Sequence, residues 1–425
     1  MTTLKEYIKV QGGYAYKSKD FIESSENKVL KIKNVRFGTV DYAEPAYVSD
    51  EIAASTKNWK VKEGDVLISM TGSGPNAPQS LVGRVARVWK NEPDAWINQR
   101  VGRVCLLDEN SVHLDFIFYW LSLPQSQDYL VSNSSGSANQ ANISGKIIES
   151  LPCPKVDYQT SKQIADLARN FDEKVILNSQ TNQTLEQMAQ AIFKSWFVDF
   201  EPVKAKMNGE QPDGMDEATA SLFPEKLVES ELGLIPEGWE IKPIKDLCSK
   251  VQNGGTPKRS ESLYWDDGDI PWLTSGEVRQ SIITSVENRI TQLGLDKSSA
   301  KWVPELSTLV ALYGATAGEV SLTSIPLTTN QAVCALMPKK EHQWYNYLQL
   351  KSRVAELAGK AVGSAQQNIS KGLVESTEVL SVPEPLLEAF NAQVENLFKL
   401  RICNLKENVE LAKLRDTLLP KLPWV

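Results

Sequence analysis

The sequence predicts an α+β chain with an internal pseudo-two-fold repeat: two β-rich heads joined by two long helices that form an antiparallel coiled coil. Three observations predict it. The chain repeats itself: Gly136-Ser-Ala-Asn-Gln-Ala-Asn-Ile-Ser144 returns as Gly363-Ser-Ala-Gln-Gln-Asn-Ile-Ser370. Upstream, Gln11-Gly12-Gly13 is echoed by Asn253-Gly254-Gly255, Val66–Gly72 by Thr308–Gly314 and Asn98-Gln99 by Asn330-Gln331. The offset drifts from about 242 to about 227, far beyond the 20–50-residue period of a solenoid. Second, each head reads as short β-branched segments bounded by Gly, Pro or Asn. Third, each head runs through a proline (Pro152, Pro383) into a long helical period.

In chain order, residues 1–156 form the first head, with strands expected over Lys28–Val35, Asp65–Ser69, Leu81–Val88 and Gln99–Leu107, then a helix over Asp115–Ser122. On that reading Lys31 and Lys33 share one strand face. Residues 157–200 are the first long helix, where Ile164, Phe171, Leu185 and Ile192 fall seven apart as a positions, with Leu167 and Met188 at d. Residues 201–238 form a connector rich in Pro and Gly. Residues 239–383 are the second head, with strands over Asp269–Leu273, Ser307–Tyr313, Glu319–Leu322 and Gln331–Met337 and a helix near Trp344–Leu357. Residues 384–425 are the second long helix, with Leu387 and Val394 at a and Phe390, Leu397 and Leu411 at d. Both seams turn polar in the middle, at Asn178, Thr181 and Asn182 and at Arg401, Asn404 and Asn408. Such residues cost stability but fix register and partner, so the two helices suit each other as a pair. A helix of about 40 residues spans roughly 60 Å, and an antiparallel pair would hold the heads at opposite ends.

The net charge of -7 is concentrated: residues 201–238 carry -6, whereas the heads carry +1 (1–156) and 0 (239–383). The acidic pI therefore does not exclude a local basic face on a head. Five scattered cysteines without a C-x-x-C spacing read as reduced thiols in a cytoplasmic protein. No apolar run is long enough to span a membrane, and Met1-Thr-Thr-Leu-Lys-Glu6 lacks a signal-peptide core. His113 and His342 have no ligand-spaced companion, so no metal site is expected.

Catalytic motifs are absent: no phosphate-cradling loop, no nucleophile elbow, no Asn/Asp-Pro-Pro-aromatic loop of an amino-methyltransferase. Asp213 with Glu240-Ile-Lys242 fits a loose metal-nuclease spacing, but Asp213 sits in the connector. What the heads offer is amides and hydroxyls on Gly-rich loops: Ser137, Asn139, Gln140 and Asn142, and Ser364, Gln366, Gln367 and Asn368. Asn and Gln can pair in two-point fashion with adenine edges; they equally suit a turn that caps the incoming helix. Candidates for sequence readout lie where the heads diverge: Lys31, Lys33, Asn34, Arg36, Asn76, Arg84 and Arg87, with Arg100 and Arg103, in the first, and Lys258, Arg259, Tyr264, Thr274, Ser275 and Arg279, with Arg289, in the second.

The segment Asn182-Gln-Thr-Leu-Glu-Gln-Met-Ala-Gln-Ala-Ile-Phe-Lys-Ser-Trp-Phe-Val-Asp-Phe200 and the segment Leu414-Arg-Asp-Thr-Leu-Leu-Pro-Lys-Leu422 resemble the conserved helices of type I restriction–modification specificity subunits. Gly13-Tyr-Ala-Tyr-Lys-Ser18, Leu234–Trp239 and Gly254–Pro257 are similar too. The resemblance covers essentially the whole chain. It implies a non-catalytic subunit whose heads, as target-recognition domains, each read half of a split, asymmetric site in double-stranded DNA. Its helices would dock two adenine methyltransferase subunits, with restriction (translocase) subunits joining them. S-adenosylmethionine, ATP and Mg²⁺ would belong to those partners, and no cofactor to this chain. Phe193, Trp196, Phe197, Leu411, Leu414 and Leu418 become candidates for docking or helix pairing. Near-neutral heads imply weak DNA binding by the chain alone. A two-headed scaffold or adhesion protein without a DNA role is the alternative.

Overall fold

Short β-branched strands collect into two main sheets of four or five strands in each head, with smaller two- and three-stranded pairings beside them, in a computed structural model that describes residues 2–73, 82–137, 140–231, 233–360 and 368–418. The chain divides into two compact units, Met1–Ile176 with Val409–Val425, and Leu177–Asn408.

In the first unit one sheet runs in the order Ile8–Gly12, Val101–Leu106, Val66–Ser69, Val85–Arg87, antiparallel throughout. The other runs Phe21–Ile22, Ala46–Val48, Lys28–Leu30, Ala95–Ile97, and its last pair is parallel. Alternation along the first sheet sends Val66, Ile68 and Val104 into one core with Leu4, Phe116 and Leu121, and Leu67 and Val101 into another with Leu30 and Ile97. A sheet buried on both faces explains why its strands read as continuous apolar runs. The helix Leu114–Ser122 is buried from Asp115 to Leu121. Its carboxylate at Asp115 is held by Arg87 at 2.7 Å and by Arg169, on the first long helix, at 3.1 Å. The Tyr119 hydroxyl donates to Asp172 at 2.8 Å, and Arg415 of the second long helix reaches the other oxygen of Asp172.

One loop of this unit carries a titrating group. The Tyr42 hydroxyl donates to Glu92 at 3.0 Å, and burial pushes the Glu92 carboxyl up to about 7. An unfolded glutamate titrates near about 4.3. Between those values the folded chain holds a proton that the unfolded chain has lost, so this group's contribution falls as pH rises through the window and is flat above it. Wild-type chain should therefore lose more urea resistance between about pH 5 and pH 7.5 than Glu92→Gln does. Equal losses would contradict the assignment.

The second unit repeats the design. One sheet runs Cys248–Asn253, Val333–Pro338, Thr308–Ala311, Val320–Thr323, with Ile282–Ile283 added at the edge. The other runs Asn288–Ile290, Ile270–Leu273, Leu327–Thr329, Trp302–Val303, and its central pair is parallel, as Lys28–Leu30 and Ala95–Ile97 are. The acidic segment between the heads has elements of its own: helices Glu201–Met207 and Glu217–Ser221 and the hairpin Leu227–Ser230 with Gly233–Pro236. Its Val203, Phe223 and Ile235 are buried with Trp196, Phe197 and Trp239.

The first long helix is continuous over Tyr158–Phe197 and the second over Glu384–Leu418. Within the second unit they pair antiparallel. Asn178 donates to Glu407 at 2.7 Å and to Asn408 at 2.9 Å. The Asn404 side-chain amide donates to Oδ1 of the Asn182 side chain at 2.9 Å, and Arg401 meets Glu186 at 2.8 Å. The two polar centres read from sequence are thus partners. At the Phe197 end the seam becomes aromatic, Phe390 facing Phe193, Trp196 and Phe197 at ring distances of 5.0–6.3 Å.

Two sequence expectations are corrected. Lys28–Val35 is not one strand: it ends at Leu30, and Ile32–Asn34 is a 3₁₀ turn, so Lys31 and Lys33 do not share a strand face. The Asn34 side chain accepts the Lys31 N–H at 2.9 Å and donates to the Asp41 carbonyl at 2.8 Å, diverting the backbone from the ladder. The d row of the first helix is also displaced by one residue. Leu167 and Met188 are 41% and 48% exposed, whereas Ala168 and Ala189 are buried. Ile164, Ala165 and Ala168 pack into the core of the first head. Alanine permits that close approach, and a seam read from large side chains alone misses it.

Candidate functional site

The two heads can be placed in register through their hydrogen bonds. The Asn98 N–H donates to the Leu30 carbonyl and the Asn330 N–H to the Leu273 carbonyl, both at 3.0 Å. The Met70 N–H meets the Arg100 carbonyl as the Leu312 N–H meets that of Ala332. Ile143 and Ile369 donate to Met70 and Leu312, and Asn142 pairs with Thr71 as Asn368 bridges to Tyr313. Strand partners fix one further point: Gly12 opposes Gly102 where Asn253 opposes Cys334. The structural equivalent of Asn253-Gly254-Gly255 is therefore Gly12-Gly13-Tyr14, one residue later than the sequence echo suggests. Both Gly13 and Gly254 are required by close approach, since a Cβ there would lie 2.2 Å from the Asn98 carbonyl oxygen or 1.9 Å from that of Thr329.

These contacts draw a common rim at one end of each head. In the first it is formed by Lys31–Arg36, Asn98-Gln99-Arg100, Thr71-Gly72 and Asn142; in the second by Thr274–Arg279, Asn330-Gln331-Ala332, Tyr313-Gly314 and Asn368. The 3₁₀ turn is built the same way twice. Asn34 caps the Lys31 N–H, and Glu277 caps the Thr274 N–H at 2.8 Å. Arg36 and Arg279 then fall at the same place, Arg36 on Asp41 at 3.1 Å and Arg279 on the Ala315 carbonyl at 3.4 Å. The described ends of the copied segments, Asn142–Ser144 and Asn368–Ser370, join the rim and start the next helix, with Ser144 capping Ile147 and Ser370 capping Leu373. The capping reading of these loops thus has a concrete basis.

Several candidate side chains are committed inside the fold and are withdrawn as readers. Asn34 is buried in its own turn. Arg84 is buried, with a guanidinium N–H on the Ile32 carbonyl at 2.8 Å. Arg87 is spent on Asp115 and lies over the Trp89 ring at 4.6 Å. Thr274 and Glu277 bond each other within their capping box. Arg103 is tied to Asp65 and Gln11. Lys33 is exposed beside Glu44, Lys31 lies over the Phe21 ring at 4.2 Å, and Ser275 is half-buried in its turn. Lys258 is exposed, Arg259 stacks on Trp265 and Trp272 at 3.9 and 4.7 Å, and Tyr264 is half-buried. Asn368 is exposed on the rim and Asn142 half-buried. Asn76, Asn139, Ser364, Gln366 and Gln367 lie outside the described residues, as do the side chains of Ser137 and Gln140, whose backbones form a hairpin. Glu240 and Lys242 pair with each other at 2.6 Å.

On the long helices, Phe193, Trp196 and Phe197 are buried in the second unit's core and serve pairing rather than docking. Leu414 is exposed, and Leu411 and Leu418 are half-buried. Sequence reasoning did not offer other exposed apolar residues of this region for docking: in the second unit, Leu177 and Met188 lie 11 residues apart on the first helix, three helical turns, and so share one face, and exposed Val198 follows directly after the helix end. Arg100 was noted in the sequence but not singled out; only the register of the heads gives it a place on the rim.

The family model of the type I restriction modification DNA specificity domain matches residues 1–187 and 236–404. The HindI specificity subunit of Haemophilus influenzae is 30% identical over 408 residues, covering 85% of this chain and 86% of that one. The MjaIX specificity subunit of Methanocaldococcus jannaschii is 24% identical over 322 residues, covering 75% and 70%. Among solved structures, a type I restriction–modification S subunit from M. genitalium has the same fold, with a TM-score of 0.57 at 15% identity, covering 99% of this chain and 94% of that one.

Proposed function

Because the chain belongs to the type I restriction–modification DNA specificity family, we propose that it is the recognition subunit of such a complex, reading a bipartite, asymmetric site in double-stranded DNA. The chain supplies sequence recognition and no catalytic group. One observation carries the reading: two rims share a backbone framework but carry different residues at matched positions, Lys31 against Thr274, Thr71 against Tyr313 and Arg100 against Ala332, so that Arg100 is exposed in one and Tyr313 in the other. A duplicated framework suits two similar tasks, and divergent side chains suit two different half-sites.

Two adenine methyltransferase subunits would dock on the long helices, where exposed Leu177, Met188, Val198 and Leu414 offer apolar contact. Restriction (translocase) subunits would join through them. S-adenosylmethionine, ATP and Mg²⁺ belong to those partners in this reading, and the complex acts in the cytoplasm. Affinity-purified chain expressed with its methyltransferase should bring that larger protein down in stoichiometric amount, and the pair should transfer methyl groups to adenine in DNA. A chain that neither captures the methyltransferase nor supports adenine methylation would instead fit a scaffold without a DNA role.

A further inference from the structure

We propose that Arg100 and Tyr313 are specificity-determining residues at equivalent regions of the two rims, with Arg100 reading a guanine in the first half-site. The proposal rests on the DNA-reading function above and assigns it to side chains.

Five arginines lie on the first head's sheets, loops and rim. Arg36 bonds Asp41, Arg84 the Ile32 carbonyl, Arg87 Asp115, and Arg103 Asp65 and Gln11. The Arg100 guanidinium is exposed and has no hydrogen-bond or ion-pair partner among the described residues. Its backbone, in contrast, is fixed. The Arg100 carbonyl accepts the Met70 N–H at 2.9 Å, and the adjacent Gln99 N–H donates to Tyr14 at 2.8 Å. A side chain with five donors, on a held backbone at a strand end, is arranged to meet something outside the chain.

The second head places bulk differently at the same spot. The equivalent of Arg100 is Ala332, which is buried, while the neighbouring position, Thr71 in the first head, becomes Tyr313. Tyr313 is 40% exposed. Asn368 stands across the backbone bridge from Tyr313, and Arg279 reaches the carbonyl of Ala315, two residues further on. One head therefore presents a forked cation and the other an aromatic ring, on adjoining segments of the same framework.

The chemistry follows. A guanidinium pairs in two-point fashion with O6 and N7 of guanine in the major groove, whereas a Gln amide in its place matches N6 and N7 of adenine. A tyrosine ring offers apolar contact to a base edge, such as a thymine methyl, which threonine covers less well.

The test uses the full chain co-expressed with its methyltransferase, with methylation mapped across the host genome by single-molecule sequencing. Arg100→Gln should lower the preference for guanine at one position of the first half-site roughly ten- to hundred-fold, shift it toward adenine, and leave the second half-site unchanged. Arg100→Lys should keep the guanine. Tyr313→Thr should relax the second half-site alone. The unaltered half-site reports on folding in the same experiment. The assignment is overturned if the Arg100 variants mark the wild-type site at wild-type efficiency, if they alter the wrong half, or if both abolish methylation altogether. If wild-type chain with its methyltransferase places no bipartite adenine mark, the DNA-reading function itself fails, and the assignment falls with it.

Discussion

Phe390→Ala should destabilise the second unit by about 3–5 kcal/mol, the range for a large aromatic removed from a closed core. Phe390 is fully buried, and its ring faces Phe193, Trp196 and Phe197 across the helix seam. Those rings also contact Tyr345 and Trp239 of the second head, so the cavity opens where the helices and that head share one core. Collapse around it is restricted by the Tyr345 hydroxyl, which donates to the Leu380 carbonyl at 2.7 Å. Urea denaturation followed by tryptophan fluorescence should show a lower midpoint for the transition that includes Trp196 and Trp239. A shift below about 1 kcal/mol would mean that this cluster does not join the helices to the head in solution.

Arg401→Ala is expected to cost on the order of 3 kcal/mol, through a different mechanism. The Arg401 side chain is only 3% exposed and bonds Glu186 at 2.8 Å and the Ser281 hydroxyl at 3.2 Å. It therefore ties both helices to the edge of the second head. Glu186 is 25% exposed, which lowers the cost from the upper end of the buried-pair range. Removing Arg401 alone strands a carboxylate in the seam. Replacing both partners with apolar residues, Arg401→Met with Glu186→Leu, should recover much of the loss, because the desolvation of two charges disappears with them. The double variant should nonetheless lose register definition, since a polar pair at a seam excludes shifted alignments. Double-mutant denaturation and disulfide trapping across the seam measure the two effects separately. A double variant as unstable as Arg401→Ala would contradict the ion-pair account.

The features legible in the sequence were those with long periods. The repeat gave two heads, and the matched polar centres at Asn178–Asn182 and Arg401–Asn408 anticipated the helix pairing that the hydrogen bonds display. Finer placement failed where one side chain overrides a pattern. Asn34 turned an expected strand into a 3₁₀ turn, and Ala168 and Ala189 took the buried places that larger neighbours suggested for Leu167 and Met188. The candidate site was legible in composition but not in address. Arg84, Arg87 and Arg103 look like Arg100 in a string of letters; only the hydrogen bond of Arg84 to the Ile32 carbonyl and the ion pairs of Arg87 and Arg103 show that they belong to the fold. The equivalence of Arg36 with Arg279 was likewise hidden until the capping side chains Asn34 and Glu277 aligned the turns.

The central claim is that one framework, used twice, reads two different sequences. Mapping adenine methylation in a host that carries the wild-type chain and its methyltransferase tests it most directly. The account predicts a split target whose two halves differ in sequence and are separated by unread base pairs. A palindromic target, or one uninterrupted stretch, would contradict it.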